Sequence, residues 1–125
     1  MTTALAVGAG ALGALARYEA GGLVQRVTAS ERPWGTLAVN VSGALALGLL
    51  AGLRLEGALD PDVYRVAGMG FLGAYTTFST WMLESVRLAG DGGRAGLVAA
   101  AVNIGGMLVV GLLAVWAGLA LGRLA

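Results

Sequence analysis

The chain has 125 residues, 58% of them hydrophobic and 12% charged, with a formal net charge of +1 and a mean hydropathy of +0.81. A soluble domain carries roughly twice that charged fraction, and a near-neutral chain whose basic residues are all scattered Arg offers no basis for nucleic-acid binding. Histidine and cysteine are both absent, which excludes imidazole general-base chemistry, cysteine nucleophiles, thiolate zinc sites and disulfides.

Four apolar stretches follow in chain order, each close to the ~20 residues that cross ~30 Å of hydrocarbon. The first, residues 3–24, is interrupted by Arg17 and Glu19. It lacks a basic leading region, so it reads as a retained helix rather than a cleaved signal. Thr28 to Pro33 form a turn, with Pro33 at the start of the second stretch, residues 34–53, which is free of charge. Glu56 to Asp62 form the next connection, where Asp60 reads as an N-cap and Pro61 as the first helical residue. The third stretch, residues 63–89, would be roughly 40 Å long as one α-helix. A break between Gly73 and Ser79 relieves that excess. After Gly90-Asp91-Gly92-Gly93 the fourth stretch runs over residues 95–121. No linker separates a second domain and no repeat is visible. The expectation is one all-α domain over residues 1–125, with four transmembrane helices and the third broken mid-membrane.

The break coincides with the most polar part of that helix. Between Gly70 and Trp81 lie five hydroxyl side chains: Tyr75, Thr76, Thr77, Ser79 and Thr80. Lipid supplies no hydrogen bonds, so irregular backbone at membrane depth is tolerated only where protein or a wet path satisfies it. The pattern points to an ion or small solute crossing near the midplane.

Arginine placement adds a second clue. Loops one and three carry Arg26, Arg32, Arg87 and Arg94, against Arg54, Arg65, Arg123 and the N-terminal amine on the other side. Lys/Arg bias sets orientation, and here it is nearly absent. A chain without a preferred orientation can insert both ways and pair with an inverted copy.

Single residues leave alternatives open. Asn40 offers two N–H donors at mid-span, either to a pore or across helices as packing glue. Asn103 divides the same way. Ser79 and Thr80 offer hydroxyls to a solute or return them to the preceding turn. Phe78 and Trp81 are pore-lining aromatics or ordinary packing ones. Arg17 either snorkels to the interface or lines an anion-attracting vestibule. Glu84 and Arg87, spaced i, i+3, read as an interfacial pair. Gly48/Gly52 and Gly118/Gly122 are GxxxG patterns, weak signals in a chain with 22 glycines.

Taken together, these residues resemble the small Fluc (CrcB) fluoride channels. The resemblance covers essentially the whole chain. It rests on Gly13-Ala14-Leu15-Ala16-Arg17-Tyr18, on Gly35-Thr36-Leu37-Ala38-Val39-Asn40-Val41-Ser42-Gly43, on Val102-Asn103 and Trp116, and above all on Gly70-Phe71-Leu72-Gly73 with Thr76-Thr77-Phe78-Ser79-Thr80 and Glu84. It implies an antiparallel, dual-topology homodimer in the lipid of a prokaryotic cytoplasmic (inner) membrane, multi-pass, with no nucleic-acid partner. Two pores would pass fluoride, lined by Asn40, Phe78, Ser79, Thr80 and Trp81, with Arg17 in a vestibule. It also implies a structural Na+ on the two-fold axis, held by the backbone carbonyls of Gly73 and Thr76 from both subunits, with Gly73 to Thr76 out of helix. Trp81 stands at the second of two pore phenylalanine positions, and Met107 stands where some relatives carry serine. The implied role is passive export of fluoride as detoxification. A proton-coupled exporter of the multidrug type is the alternative, with Glu19 as its only first-helix carboxylate, and an inert membrane subunit is a further one. No nucleophile–base or metal-ligand set suggests an enzyme.

Overall fold

The computed structural model describes residues 1–90 and 92–125; Asp91, in the expected third connection, lies outside the described residues. Every regular element among them is helical. Helix α1 spans Thr2–Thr28 and α2 spans Trp34–Leu55. The third run comprises α3 (Pro61–Val63), a π-helical segment (Tyr64–Leu72), α4 (Gly73–Tyr75) and, after Thr76 and Thr77, α5 (Phe78–Gly90). Helix α6 spans Gly93–Leu124. Of these, α2 and α6 are long and apolar enough to cross a membrane.

Local chemistry explains the ends. The Asp60 carboxylate accepts from the Asp62 and Val63 amides at 2.8 and 3.3 Å, with Pro61 directly after it, as the sequence predicts. Helix α1 runs past Val24 to Thr28, whose hydroxyl donates back to the Val24 carbonyl at 2.9 Å. It stops at Ala29, which takes the left-handed conformation (φ 46°). No side chain of its own caps α2, and α1 supplies the cap: Gln25 Oε1 accepts from the Gly35 amide at 3.1 Å. Its Nε2 donates to the carbonyls of Ser30 and Arg32, fixing the intervening turn.

The excess length of the third run is relieved twice. A π turn closes i→i+5 bonds and so takes more residues per turn than an α turn; the Gly73 amide donates to Gly68 in this way. The chain then leaves helical geometry at Thr76, which is extended (φ −83°, ψ 156°). The expected unwinding from Gly73 onward is corrected here. Gly73–Tyr75 stay helical, with Gly73 at φ −61°. The interruption is caused by polar partners of Thr77, described below, and not by glycine's freedom.

Packing is inverted relative to a soluble protein. Among the described residues only Val39, Leu72, Ala100 and Met107 are buried hydrophobic residues, while side chains such as Val7, Leu12, Phe78, Val102 and Trp116 stand outside. Much of the interior is glycine: Gly13, Gly35, Gly43, Gly48, Gly52, Gly118 and Gly122 are all buried. A Cβ on Gly48 would overlap the Val115 carbonyl, and one on Gly118 or Gly122 the carbonyls of Leu45 or Leu49. The two GxxxG patterns are therefore one reciprocal contact that brings α2 and α6 together backbone to backbone. Gly13 likewise faces the Phe71 carbonyl, and Gly70 faces Ala6, seating α1 on the π segment. Helices without a hydrophobic driving force between them associate through such close approach.

Gly118→Ile should therefore lower stability by roughly 1–3 kcal/mol or prevent folding, whereas Gly90→Ala, with open space around it, should stay within about 0.5 kcal/mol of wild type. Thermal unfolding in detergent, followed by far-UV circular dichroism, checks the contrast. Equal midpoints would remove the α2–α6 backbone contact from the fold.

Candidate functional site

The interruption at Thr76–Thr77 is built from a competition for backbone groups. In a continuous α-helix the Thr77 amide would close on the Gly73 carbonyl, and the Thr80 amide on the Thr76 carbonyl. Here the Thr77 amide donates instead to Asn40 Oδ1 at 2.7 Å, and Asn40 Nδ2 returns a bond to the Thr77 carbonyl at 2.9 Å. One carboxamide thus satisfies both backbone groups of a residue that has left the helix. The Thr80 amide donates to Thr77 Oγ1 at 3.2 Å, so Thr77 caps α5. Both diversions leave the carbonyls of Gly73 and Thr76 without their helical amide partners.

Neighbouring elements complete the arrangement. Arg17 Nε donates to the Ala74 carbonyl at 3.2 Å, taking up another acceptor at the end of α4. Its position follows from Gly13, one turn earlier on α1, lying against Phe71. Gly43 sits one turn after Asn40 on the same face of α2, and a Cβ there would overlap the Thr76 methyl group. Asn40 and Gly43 thus act together: the amide holds Thr77 and the missing side chain makes room for Thr76. Tyr75 stacks on Phe71 with ring centroids 6.0 Å apart, and its hydroxyl lies 3.1 Å from Ser42 Oγ.

The hydroxyls form a short chain. Thr77 Oγ1 donates to Thr80 Oγ1 at 3.0 Å and lies 3.4 Å from Ser79 Oγ. Neither Ser79 nor Thr80 has its hydroxyl in a bond to a preceding carbonyl among the described residues. Phe78 is 69% exposed and meets Trp81 edge to face, 5.5 Å apart at 89°. The Trp81 N–H donates to the Asn103 carbonyl at 3.1 Å and so is engaged within the protein. Asn40 likewise has Nδ2 engaged with Thr77, and 3.9 Å from Met107 Sδ.

Two clefts flank the interruption. One, of about 480 Å³, is lined by Arg17, Tyr18, Thr36, Thr80, Glu84 and Arg87 among others. The second, of about 360 Å³, is lined by Asn40, Thr76, Phe78, Trp81 and Met107 with aliphatic residues of α6. Thr77 lines both. Arg17 lines the first cleft while its Nε donates to the Ala74 carbonyl. Glu84 is corrected in one respect. Its carboxylate accepts from the buried Thr36 hydroxyl at 2.6 Å rather than forming the expected pair with Arg87.

Thr36, Gly43, Tyr75, Thr77 and Ser85 join the site without having been singled out as site residues. The signal for Gly43 and Thr36 was the i, i+3 and i, i+4 spacing to Asn40 on one face of α2. Thr36, which donates to Glu84, and Asn103, which donates to Ser85, lie on other helices and leave no local pattern.

An all-helical chain with glycine inside, aliphatic side chains outside and a hydrogen-bonded interruption in one helix is a helical membrane protein. The chain belongs to the CrcB-like protein, Camphor Resistance (CrcB) family, whose profile matches residues 4–119. It is 52% identical over 119 residues to the fluoride-specific ion channel FluC 1 of Symbiobacterium thermophilum, covering 91% of each chain. It is 47% identical to the fluoride-specific ion channel FluC of Nitratidesulfovibrio vulgaris, covering 93% of this chain and 92% of that one. Identity to the FluC 2 of Mycobacterium tuberculosis is 45%, over 91% of this chain and 87% of its relative.

If Asn40 holds the interruption, Asn40→Ala should expose the Thr77 amide and cost about 1–3 kcal/mol, the penalty of unsatisfied buried backbone groups. Hydrogen–deuterium exchange across Tyr75–Ser79 checks this. Unchanged protection at Thr77 would show that the break stands without the amide.

Proposed function

We propose that the chain is a passive fluoride channel of a prokaryotic cytoplasmic membrane, multi-pass, working as an antiparallel homodimer of four-helix subunits. The observation that carries the reading is near-full-length similarity to proteins named fluoride-specific ion channels, joined to a hydroxyl-rich helix break where Thr77 lines two clefts. Fluoride is small and strongly hydrated, so a path must offer hydrogen-bond donors in place of water. Ser79 and Thr80 supply hydroxyls, and the rims of Phe78 and Trp81 supply the positive edge of their quadrupoles. Arg17, in the wider cleft, raises the local anion concentration. Asn40 shapes the path by holding Thr77.

The freed carbonyls of Gly73 and Thr76 fit a structural cation. Hard cations take oxygen ligands, and among the described residues no cluster of three or more Asp, Glu or His side chains offers an alternative. In the homodimer, Gly73 and Thr76 of both subunits would hold Na+ through main-chain oxygens, and the ion would neutralise carbonyl dipoles brought together at the axis. Gly73 is exposed, and a Cβ there meets only the Gly68 carbonyl, at 4.0 Å, leaving room for a partner's backbone. Balanced arginine counts support insertion in both orientations.

The exporter reading is set aside, since the relatives are named as channels and Glu19 stands exposed on α1. The cellular role is detoxification: hydrogen fluoride enters as a neutral acid, ionises in the cytoplasm, and the anion leaves by the channel.

In liposomes of purified protein, fluoride efflux should be fast, chloride efflux undetectable, and neither should need a pH gradient when the membrane potential is clamped. Efflux that requires proton exchange would overturn the channel reading. A separate check addresses the dimer. Gly73→Val should keep the helix content of wild type by circular dichroism but dissociate the pair in detergent, measured by light scattering. A stable dimer with unchanged flux would remove Gly73 from the axis.

A further inference from the structure

Trp81 stands at the position where the family resemblance predicts phenylalanine, and a closed ring of three hydrogen bonds links it to Asn103 and Ser85, one of them made by the indole itself. The Trp81 N–H donates to the Asn103 carbonyl at 3.1 Å. The Asn103 side-chain amide donates to Ser85 Oγ at 2.9 Å, and the Ser85 hydroxyl donates to the Trp81 carbonyl at 2.8 Å. Ser85 is only 3% exposed, so the ring is dry at its centre and ties α5 to α6. With the N–H fixed toward α6, the indole meets Phe78 at 89°.

The physical consequence concerns release rather than capture. A free indole N–H facing an anion path is a strong, directional donor. Conduction requires that each site bind an anion weakly enough to let it leave. A ring rim is a weaker donor than an N–H. We infer that Asn103 and Ser85 are positioning residues that turn the Trp81 N–H away from the fluoride path and present its ring edge instead, which lets tryptophan replace phenylalanine without trapping the anion. This rests on the channel reading above. It also gives the Asn103 side chain a task that the sequence left undecided between pore and glue.

The test uses full-length protein in liposomes with fluoride efflux as one readout and Trp81 emission as the other, the latter in a Trp34→Phe/Trp116→Phe background. Asn103→Val and Ser85→Ala should each red-shift the emission and slow fluoride efflux about fivefold, the scale of one hydrogen bond. Ser85→Ala deletes a single hydroxyl and serves where Asn103→Val does not fold. In a Trp81→Phe background neither substitution should slow efflux further, because no N–H remains to be freed. Equal slowing in both backgrounds would show that Asn103 and Ser85 only hold the helices together and would overturn the inference, as would unchanged emission and flux. A wild type that passes no fluoride in the same vesicles would overturn the channel reading itself, and this inference with it.

Discussion

The pairing of the Asn40 carboxamide with both backbone groups of Thr77 is the interaction on which the rest of this structure turns. In hydrocarbon an unpaired amide or carbonyl costs several kcal/mol, so a helix can be interrupted there only if something replaces the lost bonds. Asn40 does so with one acceptor and one donor, at 2.7 and 2.9 Å. The consequences run along the chain. Removing the Thr77 amide from the helical ladder frees the Gly73 carbonyl, and using Thr77 Oγ1 to cap α5 frees the Thr76 carbonyl. Arg17 then takes the Ala74 carbonyl. A single side chain on α2 thereby converts a continuous helix into a pair of half-helices with two main-chain oxygens to offer.

That pairing is possible only because the helices approach closely, and glycine provides the approach. Gly48 and Gly52 against the α6 backbone, and Gly118 and Gly122 against the α2 backbone, set the spacing of the two helices, with Asn40 Nδ2 3.9 Å from Met107 Sδ. Gly13 against Phe71 sets the spacing of α1 and the third run, and so places Arg17 beside Ala74. In a soluble protein interior glycines at helix positions would cost about 1 kcal/mol each relative to alanine. In lipid, where aliphatic side chains gain little by turning inward, backbone contact is the more effective source of association.

How much of this was legible in the sequence follows from the range of each cause. The helical runs, the Asp60 cap and the polar interruption of the third run are local, and they were readable from hydropathy, proline and hydroxyl clustering. The exact place of the interruption was not. Gly73 is the local breaker and drew the expectation to itself, but the bond that breaks the ladder comes from Asn40, 37 residues earlier. Glu84 has a charged neighbour at i+3, yet its hydrogen bond goes to Thr36, 48 residues away. The GxxxG pairs looked weak for a different reason. Each is common in a glycine-rich chain, and only their reciprocity across α2 and α6 makes them specific.

A count of donors at the break joins these points to transport. One Asn40 N–H is engaged by Thr77 and the amide lies 3.9 Å from Met107 Sδ, the Trp81 N–H is engaged by Asn103, and the Thr77 hydroxyl by Thr80. The strong amide donors are therefore turned to structural tasks. Under the proposed function, what would remain for an anion is the Thr80 hydroxyl hydrogen, the exposed Ser79, and the rims of Phe78 and Trp81, with the Arg17 charge in the neighbouring cleft. Such a set is weak site by site but can be met in succession. On the proposed reading, a long-range charge would concentrate the anion, a hydroxyl and a ring edge would partly replace its water, and no single donor would hold it long. On that reading, the same hydrogen bonds that satisfy the broken helix would also occupy the groups most able to trap fluoride. Substitutions that loosen the scaffold should therefore impair conduction without changing any residue that touches the anion.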